Sequence, residues 1–208
     1  MVIKCYEDMN STELDIMKEI GSIGTGNAVT ALSSLMNVPV SMELPDIAIE
    51  KFNQAIKSIG HAEEMVAGIL VMTEGDLEGM MMILMDLDFV NCVMGDLIGK
   101  HVDNLHDLDE LGISALTEVG NIMISSYLGA ISTLTGMKID LMVPEISVNM
   151  MGGIVSVPMV QMGYESDSIM MIKGSLGIGD KKYNNNILMF PDIESLNRLI
   201  NKLVLCDE

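Results

Sequence analysis

The chain has 208 residues, of which 11 are basic and 30 are acidic, so its formal net charge at pH 7 is −19. This charge excludes binding to nucleic acid and to an anionic membrane surface, because both depend on a face rich in lysine and arginine. Apolar residues make up 49% of the sequence, with 22 methionines and no tryptophan, which predicts a folded chain with a soft aliphatic core.

The sequence shows none of the patterns that direct a protein into or across a membrane. Its apolar runs, such as residues 65–72 and 79–85, end at acidic residues, far short of the roughly 18 residues that span a bilayer. Glu7 and Asp8 occupy the place of a signal peptide's apolar region. The three cysteines lie far apart without Cys-x-x-Cys spacing, which argues against a disulfide framework and a zinc site. We therefore expect a soluble, cytoplasmic protein with no metal site.

The first half predicts a long helix, a hairpin and a closing helix. Apolar residues at helical spacing begin after Ser11 or Thr12, either of which is a possible N-cap. Three glycines inside the first helix each weaken it by about 1 kcal/mol relative to alanine, so we expect them to permit a bend or close packing. The predicted elements are one long helix or two short ones over residues 12–36, strands over 67–72 and 80–85, and a helix over 88–98.

The second half repeats this order after a polar junction over residues 100–109. The junction contains His101 and His106 among aspartates, a composition typical of a linker, with a metal cluster as the less favoured alternative. The predicted elements that follow are a helix over residues 111–135, strands over 154–162, 168–173 and 187–190, and a helix over 193–205.

The two halves are internal copies of one another, related by a shift of 99 positions. The matched pairs are Asp15 with Ser114, Glu19 with Glu118, Gly21 with Gly120, Ile23 with Ile122, Leu35 with Leu134 and Pro45 with Pro144. This period exceeds the roughly 20 to 50 residues of a solenoid repeat. The sequence therefore predicts residues 1–208 as one α+β domain of two homologous halves, about 10–105 and 106–208. We expect the halves to share an antiparallel sheet and to expose both long helices on one surface.

Each long helix has a polar stripe that lies within a sector of about 60°, because its members stand at positions i, i+4 and i+7. The stripes consist of Asp15, Glu19 and Ser22 in the first copy and of Ser114, Glu118 and Asn121 in the second. For a single amphipathic helix, a solvated face is the ordinary explanation. The duplication favours a functional role, because the second copy keeps both the glutamate and its distance to a proline.

The second stripe resembles the active-site signature of the CheC, CheX and FliY family of response-regulator phosphatases. In that signature an Asp or Ser is followed by three residues and Glu, by two residues and Asn, and by 22 residues and Pro. Ser114, Glu118, Asn121 and Pro144 match it completely. With both copies included, the resemblance covers nearly the whole chain. It is closest to the CheC type of the family, which has two signature helices.

The first copy departs from the signature at one position. Asp15, Glu19 and Pro45 keep the spacing, but Ser22 replaces the expected asparagine. A serine hydroxyl is about one bond shorter than an amide and offers a single donor. We therefore expect the first copy, including Glu19 as its catalytic counterpart, to be weak or silent. Pro45 and Pro144 are expected to fix the entry to a strand rather than to contact substrate.

What the resemblance implies is hydrolysis of the phosphoryl-aspartate of phosphorylated CheY, with Mg²⁺ held by the regulator and no cofactor on this chain. Asn121 would position the attacking water, because an amide can donate and accept hydrogen bonds at once. Glu118 would form a salt bridge with a lysine of the regulator, and so would dock and orient rather than act as a base.

The alternative is a binding module without catalysis, either a docking component of the flagellar switch or an adaptor for the receptor deamidase CheD, with which CheC-like proteins pair. The intact Asn121 favours an enzyme, whereas Ser22 indicates that one copy has drifted toward binding. A monomer is expected, because the duplication places a dimer-like arrangement within one chain.

Overall fold

The two halves of the chain contain the same elements in the same order. The computed structural model describes residues 3–162 and 167–206. The first half contains α1 (Ser11–Met36), β1 (Val40–Met42), β2 (Asp46–Lys51), α2 (Phe52–Ile59), β3 (Met65–Gly75), β4 (Gly79–Met85) and α3 (Leu87–Ile98). The second half contains α4 (Glu110–Thr135), β5 (Ile139–Leu141), β6 (Glu145–Met150), α5 (Met151–Gln161), β7 (Ser168–Ile178), β8 (Lys181–Pro191) and α6 (Ile193–Cys206). Short 3₁₀ helices, Tyr6–Asp8 and Leu105–Asp107, precede α1 and α4.

The two long helices are confirmed, and each runs unbroken for 26 residues. The N-cap of α1 is Asn10, not Ser11 or Thr12. Its side chain accepts a hydrogen bond from the backbone N–H of Glu13 at 3.0 Å, and the Glu13 carboxylate accepts one from the N–H of Asn10 at 2.8 Å. This reciprocal pair satisfies two N–H groups that a helix start leaves without intrahelical partners.

The strand predicted over residues 154–162 is wrong, because this segment belongs to the helix α5. Its β-branched apolar run is typical of a strand. However, its buried residues follow helical spacing, namely Met151, Ile154, Val155, Pro158 and Met159. The matching helix of the first half, α2, was not predicted. Only eight residues long, it buries Ala55 and Ile56.

The eight strands form one antiparallel sheet that joins the two halves, with β1, β7, β8, β4, β3 and β5 in that order, β2 also beside β7 and β6 also beside β3. The halves exchange strands: β1 and β2 of the first half pair with β7 of the second, while β5 and β6 of the second pair with β3 of the first. At the centre, β4 pairs with β8. This interlocking supports the expectation of a single domain.

Helices cover both faces of the sheet. On one face, α1, α3, α4 and α6 enclose the larger apolar core, to which Ile69, Ile83 and Ile187 contribute from the strands. On the other face, α2 and α5 enclose a smaller core around Phe190. The predicted α+β fold is therefore confirmed, and both long helices lie on the same side of the antiparallel sheet.

The two long helices approach each other closely at Gly24 of α1. A Cβ atom there would lie 2.7 Å from Cδ1 and 2.9 Å from the backbone Cα of Tyr127 on α4. The hydroxyls of Thr25 and Tyr127 share a buried hydrogen bond of 2.8 Å, and burial raises the pKa of Tyr127. Close packing therefore explains Gly24, whereas nothing lies within 4 Å of the equivalent atom at the exposed Gly26.

The described ranges contain neither a membrane-spanning helix nor a cluster of metal ligands. None of the helices there combines the length and the apolarity needed to cross a bilayer. Nor do three or more His, Cys, Asp or Glu side chains of residues 3–162 and 167–206 come together as a metal site. His101 lies 3.9 Å from Asp103, and both are exposed. Cys5 and Cys92 are free thiols, and the side chain of Cys206 lies outside the described part of the chain.

Candidate functional site

The stripe predicted on the second long helix lies on successive turns of the N-terminal half of α4. Ser114 and Glu118 are exposed, and Asn121 is partly buried. This part of the helix rests directly on the sheet, because a Cβ atom at Gly120 would lie 2.4 Å from Cδ1 of Ile69 on β3. The helix therefore holds the glutamate and the asparagine one turn apart on a rigid support.

The polar groups of the α4 stripe are free for a ligand or partner. Neither the Glu118 carboxylate nor the Asn121 amide makes a hydrogen bond or ion pair with any residue in the described ranges. A free carboxylate on an exposed helix face can accept a cationic side chain, and a free amide can donate to one group while accepting from another. The two can thus dock a partner and hold a water beside it.

The matching stripe on α1 is already engaged within the chain. The Ser22 hydroxyl donates a hydrogen bond of 3.0 Å to the backbone carbonyl of Lys18. The Lys18 ammonium lies 3.3 Å from a carboxylate oxygen of Asp46 and 4.0 Å from one of Asp15. Glu19, which directly follows Lys18 in the sequence, is exposed. A cation and an occupied hydroxyl therefore distinguish the first stripe from the second.

The second copy carries no cation at the position that matches Lys18. That position is Thr117, whose hydroxyl donates a hydrogen bond of 2.8 Å to the backbone carbonyl of Ile113. Comparing the two copies residue by residue would have revealed this difference, since it is visible in the sequence. The signature does not include this position, so the motif alone does not indicate the difference.

The two signature prolines stand directly before strands, Pro45 before β2 and Pro144 before β6. The Pro45 ring lies against α1, with its Cγ atom 3.1 Å from where a Cβ of Gly21 would be. Each preceding link is anchored to the sheet, because the N–H of Glu43 donates to the carbonyl of Ser175 at 3.0 Å. In the second copy the N–H of Met142 donates to the carbonyl of Met72 at 2.9 Å. The prolines thus place two rigid links beside the helices.

Comparison with known sequences places the second stripe within a described family. A family model, described as the CheC-like family, matches residues 111–148, which include the complete signature. Over 200 residues the chain is 30% identical to the CheY-P phosphatase CheC of Bacillus subtilis strain 168, covering 93% of this chain and 95% of that protein.

Comparison with solved structures finds the same fold. The crystal structure of Thermotoga maritima FliY matches with a TM-score of 0.71 at 23% identity, covering 94% of this chain and 98% of that one. A chain of the CheX-CheY-BeF3-Mg²⁺ complex from Borrelia burgdorferi matches with a TM-score of 0.50 at 18% identity, covering 80% of this chain and 95% of that one. At these identities the similarity concerns the fold alone.

Proposed function

The chain belongs to the CheC-like family, and from this premise we propose that it is a CheY-P phosphatase whose reaction takes place at the α4 stripe. It hydrolyses the phosphoryl-aspartate of the chemotaxis response regulator. The observation that supports this most strongly is the free pair of Glu118 and Asn121 within a complete signature. The family resemblance found in the sequence is confirmed by these relatives.

The reaction needs a positioned water more than it needs a reactive side chain. The water oxygen attacks phosphorus, and the bond from phosphorus to the aspartate oxygen breaks, releasing inorganic phosphate and a free carboxylate. Phosphoryl transfer of this kind depends mainly on positioning and on charge stabilisation. Mg²⁺ held by the regulator supplies the charge stabilisation. The amide of Asn121 orients the water, while Glu118 pairs with a lysine of the regulator and fixes the approach of α4.

The α1 stripe is a poor second site, because its polar groups are less able to position a water and to dock the regulator. The Ser22 hydroxyl already donates its proton to the backbone, so it can offer a water only an acceptor. The Lys18 ammonium pairs with Asp15 and Asp46, so the Asp15 carboxylate is less available to a cation of the regulator. We therefore assign most or all of the turnover to Ser114, Glu118 and Asn121, and little or none to Asp15, Glu19 and Ser22.

Removing the two equivalent glutamates separately tests this assignment. Glu118→Ala is expected to lower kcat/KM for phosphorylated CheY by about 10-fold, because a docking charge is lost. Glu19→Ala is expected to leave it within about two-fold, because α1 contributes little. The measurement is the decay of phosphorylated CheY at several enzyme concentrations. If Glu19→Ala abolishes turnover while Glu118→Ala leaves it intact, the active copy has been misassigned.

The silent copy can be repaired by giving it the residues of the second. In an Asn121→Ala background, the changes Ser22→Asn and Lys18→Thr together are expected to raise the rate about 10-fold, because a missing polar group at such a site costs about 10² to 10³. Thr30→Ala, an exposed change on the same helix, is the matched control and should add nothing. No gain from the double change would mean that α1 does not engage the regulator.

The remaining expectations about partners are part of the same proposal. We infer that the chain is a cytoplasmic monomer. The duplication supports the monomeric state, because strands of each half find their pairing partners in the other half of the same chain. CheD is a candidate partner on the basis of the family alone. Sedimentation velocity and a binding assay with purified CheD test these two points, and turnover with and without CheD shows whether it regulates the enzyme.

A further inference from the structure

Three large apolar side chains near the α4 stripe are exposed to solvent. Leu111 is 53% exposed, Met142 46% and Val143 83%. We call these three residues the apolar rim. Scattered apolar residues are normal on a protein surface, but a group beside a functional site is typical of an interaction surface.

Leu111 belongs to the same face of α4 as the signature residues. It precedes Ser114 by three positions and Glu118 by seven, so Leu111, Ser114, Glu118 and Asn121 lie within a sector of about 80° at 100° per residue. The apolar side chain therefore extends the polar stripe toward the start of the helix.

Met142 and Val143 lie in the link between β5 and β6, two strands that both contact α4. The link is held in place, because the N–H of Met142 donates to the carbonyl of Met72 and Pro144 follows directly. A side chain on such a link needs little ordering when a partner binds it, which favours affinity.

The first copy provides an internal comparison. Thr12 and Glu43 replace Leu111 and Met142 there, and of the three positions only Leu44 remains apolar, at 82% exposure. The Glu43 carboxylate accepts a hydrogen bond from Lys182 at 2.5 Å, which lowers the pKa of Glu43. The copy with the complete signature is thus also the copy with the apolar rim.

We propose that the apolar rim is the surface on which the receiver domain of phosphorylated CheY docks, and that it selects α4 over α1. This rests on the proposed function. The link that carries Met142 and Val143 lies close to the stripe, because Ile146 pairs with Ile69, the residue against which Gly120 of α4 rests. A partner that reaches Asn121, next to Gly120, therefore comes within reach of the rim. The chain's charge of −19 slows the approach of any acidic partner. Apolar contact therefore supplies short-range affinity that charge does not.

Two substitutions at the rim test the proposal, with one matched control. Met142→Glu gives the second copy the residue of the first, and Val143→Glu places a charge at the most exposed position. Each is expected to raise KM for phosphorylated CheY at least about 10-fold and to leave kcat within about two-fold, because neither side chain touches the reacting atoms. Leu44→Glu, the equivalent change in the first copy, is expected to change neither constant.

Binding is measured separately from turnover, by titrating each variant with CheY activated by beryllofluoride and Mg²⁺. Weaker binding of the two rim variants, with unchanged binding of Leu44→Glu, supports the rim. Absence of turnover in the wild-type chain would refute the proposed function but not the rim. Binding of Val143→Glu equal to wild type refutes the rim. The rim is also refuted if a rim variant changes self-association in sedimentation velocity while its binding to CheY stays the same.

Discussion

Asn121→Ala is expected to lower the rate of CheY-P hydrolysis by about 10² to 10³ at saturating regulator, the cost of removing one well-placed polar group from such a site. The amide has no partner in the described ranges, so its loss leaves no intramolecular group unsatisfied. Partly buried on a helix that is fixed against β3, it also has little freedom. The whole effect should therefore appear in kcat, with folding and regulator binding preserved.

A second helical asparagine provides the control for this experiment. Asn27 is exposed on α1 and lies outside the α1 stripe, about 140° from Ser22 and about 80° from Glu19 at 100° per residue. Asn27→Ala should hydrolyse CheY-P at the wild-type rate. Equal activity of Asn121→Ala and wild type would remove Asn121 from the reaction, whatever the other variants show.

Gly24→Ala is expected to destabilise the fold by about 1 to 3 kcal/mol, the usual cost of overpacking a core. The added methyl group would meet the backbone Cα of Tyr127 at 2.9 Å, so α1 and α4 would have to move apart. For a chain of this size the melting temperature should fall by about 2 to 12 °C. Thermal unfolding followed by circular dichroism measures this change.

Gly26→Ala is the matched control, two residues along the same helix. Nothing lies within 4 Å of the added atom, and alanine is the better helix former by about 1 kcal/mol. The free energy of unfolding should therefore rise by about 0.5 to 1 kcal/mol. If both variants were stabilised, the contact between Gly24 and Tyr127 would not be a close one in solution.

The sequence allowed the long helices, the hairpin strands and the closing helices to be predicted, because each has enough residues to show its period. The helices α2 and α5 were missed or misassigned for different reasons. In α2, eight residues give two turns, too few for a clear periodicity. In α5, an almost uniformly apolar segment hides the helical spacing of its buried residues.

The exchange of strands could not be predicted from the duplication. Val40 pairs with Ile178, and Gly75 with Ile139. Two homologous halves can pair their strands within each copy or between copies, and the residues that face one another are similar in both arrangements. Only the packing of the complete sheet decides between them.

The signature residues were found because the chemistry demands fixed spacing on one helix face. That Ser22 donates to the Lys18 carbonyl and that Lys18 reaches Asp46 depends on rotamers and on the position of β2. The sequence indicated that the first site would be weak because a serine is short. The structure adds that its hydroxyl and the carboxylate of Asp15 are already engaged.

If the second copy carries the reaction as proposed, the exchanged strands also explain why the first copy is kept in the chain. If β1 and β2 were lost, β7 would keep an unpaired edge, and the sheet of the active copy would be exposed to association with other chains. Selection can therefore relax on Ser22 and its neighbours while it continues to act on the backbone that carries them. On the proposed assignment the first copy serves as scaffolding for the second, because the loss of either half would leave strands of the other without their pairing partners.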